Sequence, residues 1–148
     1  MFVDSHCHLD RVKLEKYENG LDGAIEAARD AGVGEMLCVA IDLENIDSVL
    51  SIADAYDDVY ASVGVHPGTD TGEDPTLERL LSLAEHPKVI AIGETGLDYF
   101  RSQGDLRWQQ ERFRTHIQAA KETGKPLIIH SRDAAEDTLR ILREENAA

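Results

Sequence analysis

Short apolar segments alternate with amphipathic stretches along the chain. Five of the apolar segments have the length and composition of β-strands: residues 2–8, 36–41, 59–66, 89–94 and 127–130. Several of them, such as 36–41, are continuously apolar, which is typical of parallel strands that are covered on both faces. The pattern therefore predicts a parallel sheet that packs between other elements.

Helical spacing of apolar residues between these segments predicts five helices. Asp42 is the expected N-cap of a helix over residues 43–53, and Asp74, followed by Pro75, is the expected N-cap of the next helix. Gly124 ends the longest of the other three, which cover residues 21–31, 106–123 and 134–145. Strand and helix thus alternate along the whole chain, which assigns it to the α/β class.

The length of the repeating unit bears on the architecture. Each strand–helix unit takes about 30 residues, which is what a (β/α)8 barrel of about 250 residues uses per unit. The 148 residues hold five such units and have no room for eight. Two interpretations remain: an open five-stranded sheet, or the first part of a TIM barrel whose other strands lie outside this chain. No linker interrupts the sequence, so we expect residues 1–148 to form a single domain.

Composition narrows the classes of function. Asp and Glu number 29 against 15 Lys and Arg, which gives a formal net charge of −14. A protein that binds nucleic acid through a general basic surface needs clustered Lys and Arg, so that class is disfavoured. Phosphate chemistry would then need local positive charge, which metal ions supply most simply.

Apolar runs, the first residues and the number of cysteines indicate where in the cell the protein is expected. No apolar run approaches the roughly 20 residues of a membrane span, and residues 1–6 contain neither a basic region nor a hydrophobic signal sequence. Cys7 and Cys38 are too few for a disulfide framework and are expected in the core. We therefore expect a cytoplasmic protein that does not interact with membranes.

Ligand-type side chains lie at the carboxyl ends of four of the five predicted strands. His6 and His8 end the first, His66 the third, Glu94 the fourth and His130 the fifth. In parallel α/β folds this edge of the sheet bears the active site. Because side chains alternate along a strand, His6 and His8 project to the same side. Imidazole nitrogens suit divalent transition metals, so this pair with Glu94 and His130 could hold two ions, the carboxylate bridging them.

Simpler explanations exist for each residue alone. A His-x-His pair is a weak signal, Glu94 could cap a helix or form a salt bridge, and His130 could be a hydrogen-bonded core histidine. Their joint position at one edge favours the metal site. For His66 a substrate contact and a turn histidine remain open, whereas His86 and His116 are expected to be structural.

Four stretches of the chain resemble the TatD family of metal-dependent deoxyribonucleases, which are amidohydrolase-like TIM barrels. They are residues 3–9 (VDSHCHL), 64–67 (GVHP), 92–99 (IGETGLDY) and 127–134 (LIIHSRDA). The resemblance implies a (β/α)8 TIM barrel, truncated here to about five units with parallel strands. It also implies hydrolysis of DNA phosphodiester bonds with divalent metal ions, typically two. It implies that His6 and His8 bind the first metal ion and that His130 binds the second. It also implies that Glu94 is the catalytic carboxylate that bridges the two ions.

The resemblance also leaves part of the family's site unmatched. Family members have another metal-binding His about one βα unit beyond the position of His130, and an Asp late in the barrel that binds metal and helps activate water. The sequence reaches only Ala148, so we expect this chain alone to be impaired or inactive. Two alternatives therefore stay open: an amidohydrolase-type enzyme that cleaves C–N or ester bonds, and an inactive fragment.

Further residues near the strand ends are candidates for substrate binding, with DNA as the expected partner. Arg101 and Arg132 could steady a phosphate, although both could equally be solvated surface residues. Tyr99 could stack on a base or be a packed aromatic residue. In a shortened barrel the strands 2–8 and 127–130 would be unpaired edges, and such edges invite self-association.

Overall fold

The strands form one parallel sheet whose order follows the sequence. The computed structural model describes residues 1–147. Its strands are β1 (Phe2–Cys7), β2 (Val33–Cys38), β3 (Val59–Val63), β4 (Val89–Asp98) and β5 (Leu127–Arg132). Each strand pairs in parallel with the next, in the order β1-β2-β3-β4-β5.

A helix follows each strand. The helices are α1 (Leu21–Asp30), α2 (Ile46–Ala55), α3 (Leu77–Ala84), α4 (Arg107–Thr123) and α5 (Ala135–Glu144), and two single-turn 3-10 helices, Leu9–Arg11 and Leu14–Lys16, precede α1. A doubly wound sheet reverses its strand order at a switch point, whereas the order of this sheet is sequential throughout. The arrangement is that of a TIM barrel cut open after five units, and the predicted α/β fold is confirmed.

The hydrophobic core lies between the helices and one face of the sheet. Its larger part joins α1, α2 and α3 to the sheet through Ile25, Ile46 and Leu80, which are fully buried. A second cluster joins α4 and α5 to β4 and contains Leu97, Phe113, Ile117 and Ile141. The core therefore fixes the positions of the strands, and with them the carboxyl edge of the sheet.

The opposite face of the sheet is partly open in the part of the chain that the structure describes. Val3 and Ile90 are 57% and 42% exposed and, with Glu35 and Tyr60, line a cavity of about 200 Å³. The expectation of strands covered on both faces is therefore wrong for the edge strands β1 and β5, whose residues are mostly exposed or half-buried. It holds for residues 91–98 of β4, which are all buried. β1 and β5 are the edges of the sheet, as predicted.

Two helices begin later than their predicted caps. The Asp42 carboxylate accepts a hydrogen bond from the backbone N–H of Asn45 at 2.8 Å, so it closes a turn before α2 and does not cap the helix. Thr76, not Asp74, caps α3, since its side-chain oxygen accepts from the backbone N–H of Arg79 at 3.1 Å. The residue that caps is the one whose oxygen reaches a free N–H of the first turn.

Strand boundaries also differ from the prediction: β3 ends three residues earlier than expected, at Val63, and the ends of β1 and β5 differ by one and two residues. β2 begins and ends three residues earlier than expected, and β4 continues four residues beyond Glu94. The longer β4 remains paired with β5, with Gly96 opposite His130. The two chains approach closely there, because a Cβ atom added to Gly96 would lie 2.0 Å from the carbonyl oxygen of His130. Only glycine fits this contact, and it brings β5 next to the end of β4.

The cysteines pack toward the core, as predicted. Cys38 is buried, and the half-buried Cys7 donates from Sγ to the carbonyl oxygen of Leu37 at 3.3 Å. Burial, assisted by the charge of Asp4, raises the pKa of the Cys7 thiol to about 12, so it stays protonated and is a poor metal ligand. Among residues 1–147, no helix has the length and apolar character needed to cross a membrane.

Candidate metal centre

Side chains from three strands and two loops converge at the carboxyl edge of the sheet. His6 lies near the end of β1 and His8 directly after it, Glu94 lies in β4, and His66 follows β3. These four side chains line a cavity of about 440 Å³. His130 of β5 lies beside it, with Nδ1 3.3 Å from the Glu94 carboxylate. The predicted ligands are therefore brought together.

The first group of ligand atoms consists of His6, His8 and Glu94. Their nitrogen and oxygen atoms lie within 4.8 Å of one another, as a shared ion requires, and His6 Nε2 is 3.2 Å from Glu94 Oε2. His8 Nδ1 donates to the carbonyl oxygen of Val39 at 2.9 Å. That hydrogen bond fixes the tautomer of the neutral ring and leaves Nε2 with its lone pair as the metal-binding atom.

The second group consists of His66, Glu94 and His130, again within 4.8 Å of one another. His130 Nδ1 lies 3.3 Å and His66 Nε2 3.8 Å from Glu94 Oε1. The two carboxylate oxygens of Glu94 therefore face different groups, Oε2 toward His6 and Oε1 toward His130. This is the geometry expected of a carboxylate that bridges two ions.

Asp98 is a site residue that the sequence analysis missed. It is 1% exposed, and its Oδ2 accepts from His130 Nε2 at 2.9 Å. Its Oδ1 accepts from the backbone N–H groups of Phe100 and Arg101 at 3.1 and 3.0 Å. Burial raises the pKa of Asp98, but the hydrogen bonds from Arg101 and His130 outweigh it and lower the pKa overall. The ionised carboxylate holds the His130 proton on Nε2 and leaves Nδ1 free toward Glu94.

His66 is set up differently from the other imidazoles. The backbone N–H of Gly68 donates to its Nδ1 at 2.9 Å, so the proton of the neutral ring is on Nε2. Burial lowers the pKa of His66, and this effect outweighs the attraction of Glu94. The Nε2–H group lies 3.2 Å from His130 Nδ1. A neutral His66 is thus a hydrogen-bond donor into the site, and it would bind an ion only after losing that proton.

The donor set fits divalent metal ions. Neutral imidazole nitrogens and a shared carboxylate are ligands that suit such ions, and hydrogen bonds to Val39 and Asp98 orient two of the rings. Protein groups that orient the ligating rings in this way are usual in metal sites. His6, His8, Glu94 and His130 are therefore the residues that would hold the ions.

The other predicted substrate contacts differ in their position relative to the metal cavity. Arg101 lines the metal cavity. The Arg132 guanidinium carbon lies 3.9 Å from the centre of the Phe100 ring. Tyr99 faces away from the cavity: its hydroxyl donates to Asp137 at 2.7 Å and accepts from Gln110 at 2.8 Å. Tyr99 thus has the packed position that the sequence analysis left open as an alternative.

The two histidines expected to be structural lie outside the metal cavity. His86 Nε2 is 3.2 Å from the carboxylate of Asp54. His116 of α4 is fully buried; its Nδ1 donates to the carbonyl oxygen of Arg112 at 2.8 Å, and its Nε2 accepts from the backbone N–H of Val65 at 3.0 Å. It therefore ties α4 to the segment that precedes His66.

Comparisons with known proteins agree with this geometry. Residues 3–148 match the family model described as TatD related DNase. The "uncharacterized metal-dependent hydrolase YabD" of Bacillus subtilis is 40% identical over 99% of this chain and 57% of its own length. The "uncharacterized metal-dependent hydrolase YcfH" of Escherichia coli K12 is 41% identical over 97% of this chain and 54% of its own.

A solved structure is also similar. The crystal structure of YjjV, a TatD homologue from Escherichia coli K12, superposes with a TM-score of 0.83 at 34% identity, over 99% of this chain and 56% of that chain. The chain thus spans about half the length of the curated relatives that it matches. From the family match over nearly every residue, we conclude that the chain belongs to the TatD-related DNase family of metal-dependent hydrolases.

Proposed function

We propose that the protein hydrolyses phosphodiester bonds of DNA at this metal centre. The single observation that best supports a two-ion site is the position of Glu94, whose Oε2 lies 3.2 Å from His6 and whose Oε1 lies 3.3 Å from His130. The description of the matching family favours DNA as the substrate.

The charge of the chain explains why metal ions would be needed. A chain with a formal net charge of −14 repels a phosphodiester. When bound, two divalent ions would neutralise the phosphate and lower the pKa of the attacking water. Glu94 would hold both ions, while Val39 and Asp98 keep the rings of His8 and His130 oriented toward the site.

Protein groups around the ligands would position the phosphate. The Nε2–H of His66 would donate to a phosphate oxygen, because Gly68 keeps the other ring nitrogen as an acceptor. Arg101 lines the same cavity and would add positive charge beside it. Arg132, which ends β5 and stacks on Phe100, would be a further phosphate contact.

The test is metal-dependent release of nucleotides from single-stranded DNA. The family resemblance implies two further ligands, a His and an Asp, that these 148 residues do not include. We therefore expect slow, metal-dependent release by the 148-residue polypeptide, and none after Glu94→Ala. Rapid release that Glu94→Ala abolishes would support the nuclease assignment but contradict the impairment.

A substrate panel separates the proposal from the amidohydrolase alternative. DNA oligonucleotides, amides and carboxylic esters would be incubated with the metal-loaded protein under the same conditions. Cleavage of DNA alone is expected. Hydrolysis of an amide or ester with no cleavage of DNA would overturn the proposed function.

A further inference from the structure

A second cavity lies beside the metal cavity. Its volume is about 410 Å³, and its lining includes Arg101, Trp108 and Arg112. That volume lies within the range of small-molecule sites, about 300–1,000 Å³. Arg101 and Gly68 line both cavities. The two cavities are therefore neighbours, with Arg101 at their boundary.

Arg112 lies over one face of the Trp108 ring in the wall of this cavity. The guanidinium carbon of Arg112 lies 4.9 Å from the centre of the Trp108 ring, and Trp108 is 37% exposed. Arg112 is held in place because its Nε donates to Asp74 at 3.0 Å and its Nη1 donates to the carbonyl oxygen of Thr69. Indole rings and guanidinium planes are groups on which nucleobases stack. The stacking surface is therefore formed before any ligand binds.

Arg101 is the cation at the boundary that is available to a ligand. Arg112 is paired with Asp74, and the neighbouring Arg107 is paired with Asp105. Within residues 1–147 the structure shows a hydrogen bond from the backbone of Arg101 but none from its side chain, and no ion pair. Asp70 also lines the second cavity, and its negative charge disfavours placing a phosphate deep inside. A phosphate is therefore expected at Arg101, and an uncharged group inside the cavity.

We propose that the second cavity binds the base of a nucleotide whose phosphate lies at Arg101. The identity of the ligand rests on the proposed function, because the phosphate at Arg101 would be the one next to the metal centre. The base would belong to the nucleotide adjoining the bond that is cleaved. Stacking tolerates every base, since each base has a π-face. The site would therefore select a nucleotide unit with little preference for sequence.

The direct test uses the fluorescence of Trp108, the one tryptophan in the sequence. Metal-free protein is titrated with 5′-dAMP, with 2-deoxyribose 5-phosphate and with inorganic phosphate. We expect saturable quenching by 5′-dAMP and none by the two probes that lack a base. Equal responses to all three probes, or no response to 5′-dAMP, would overturn the proposal.

Substitutions separate the contributions of Trp108 and Arg101 to the binding of 5′-dAMP. Trp108→Ala should weaken binding of labelled 5′-dAMP roughly tenfold in equilibrium dialysis, and Trp108→Phe should restore most of it because the ring remains. Arg101→Gln should weaken binding roughly fivefold, because the charged hydrogen bond to the phosphate is lost. The matched control is Arg107→Gln, since Arg107 precedes Trp108 but is paired with Asp105 and does not line the cavity. Unchanged binding in Trp108→Ala would contradict the proposal.

The titration needs neither metal nor turnover, so the two proposals fail separately. Binding of 5′-dAMP without metal-dependent cleavage of DNA would overturn the proposed function and leave the base site in place. Cleavage of DNA by a protein whose Trp108 does not respond to 5′-dAMP would overturn the base site and leave the proposed function in place.

Discussion

At the scale of single residues, the site depends on groups that set the tautomers of its imidazoles. The convergence of His6, His8, Glu94 and His130 was predictable from the sequence, because parallel strands converge at one edge and alternation fixes which side chains face it. Asp98 has the same alternation as Glu94, four residues further on. It was missed because β4 was predicted to end at Glu94. The position of the His66 proton on Nε2 was not predictable either, since it depends on a turn that brings the backbone N–H of Gly68 to Nδ1 of the ring.

Asp98→Asn should weaken the binding of the ion at His130. The backbone N–H groups of Phe100 and Arg101 require an acceptor, so the amide would turn its NH2 group toward His130 and move the ring proton to Nδ1. We expect a 10- to 100-fold loss of affinity for Zn²⁺ or Mn²⁺ in calorimetry. The tautomer change would be visible in ¹⁵N NMR spectra of the ring. Asp105→Asn, in the exposed loop that follows, is the control; equal affinities in both variants would exclude the role of Asp98.

His116 should make the stability of the protein depend on pH. Burial lowers the pKa of His116 from 6.5 to about 4, so the unfolded chain binds this proton more readily than the folded one. The free energy of unfolding should therefore fall as the pH drops from about 6.5 to about 4, by up to about 3 kcal/mol. Arg112 and Asp74, the charged groups nearby, act in opposite directions.

The measurement is chemical denaturation across that pH range. His116→Gln keeps a donor and an acceptor but does not titrate, so its profile should be flatter than that of the original protein. His86→Gln is the control, because His86 is paired with Asp54 on the surface. If the free energy of unfolding of His116→Gln still fell steeply with decreasing pH, other groups would be the cause of the loss of stability in acid.

At the scale of secondary-structure elements, the number and order of strands and α-helices were predictable, and their ends were less so. Periodicity of apolar residues reports which face of an element is buried, and that signal is strong along α3 and α5. A helix start instead depends on which side-chain oxygen reaches an N–H group of the first turn. Asp42 and Asp74 have suitable oxygens. The Asp42 carboxylate, however, accepts from the backbone N–H of Asn45, before α2 begins, and Thr76 is the residue that caps α3.

Thr76→Ala should therefore destabilise the protein through α3. Loss of the bond to the backbone N–H of Arg79 should lower the free energy of unfolding by about 1 kcal/mol. Thr71→Ala, an exposed threonine in the preceding loop, is the matched control. Denaturant titrations that show equal midpoints for the two variants would argue against the cap.

At the scale of the whole molecule, the open face of the sheet and its two edges dominate the expected behaviour. The sequence predicted β1 and β5 as edges, but not which apolar residues the open face exposes, because that depends on what covers the sheet. Phe2 and Val3 of β1 are 70% and 57% exposed. Apolar edges of this kind favour pairing between copies.

We therefore expect the 148-residue polypeptide to self-associate as its concentration rises. Light scattering would show the mean mass increasing, and Val3→Lys should reduce it, because lysine on an edge strand opposes pairing. Leu139→Lys is the control, since Leu139 is an exposed leucine on a helix and not on an edge strand. A constant monomer mass over the accessible range of concentration would contradict this expectation.

The contact between Gly96 and His130 makes the centre sensitive to a residue that has no side chain. Any larger residue at position 96 would push β5 away from β4, since its Cβ would overlap the His130 carbonyl oxygen. The His130 ring would then separate from Glu94 and from Asp98 together. A mutation that removes no donor atom would thus dismantle the second half of the centre, whereas the half at β1 would stay assembled.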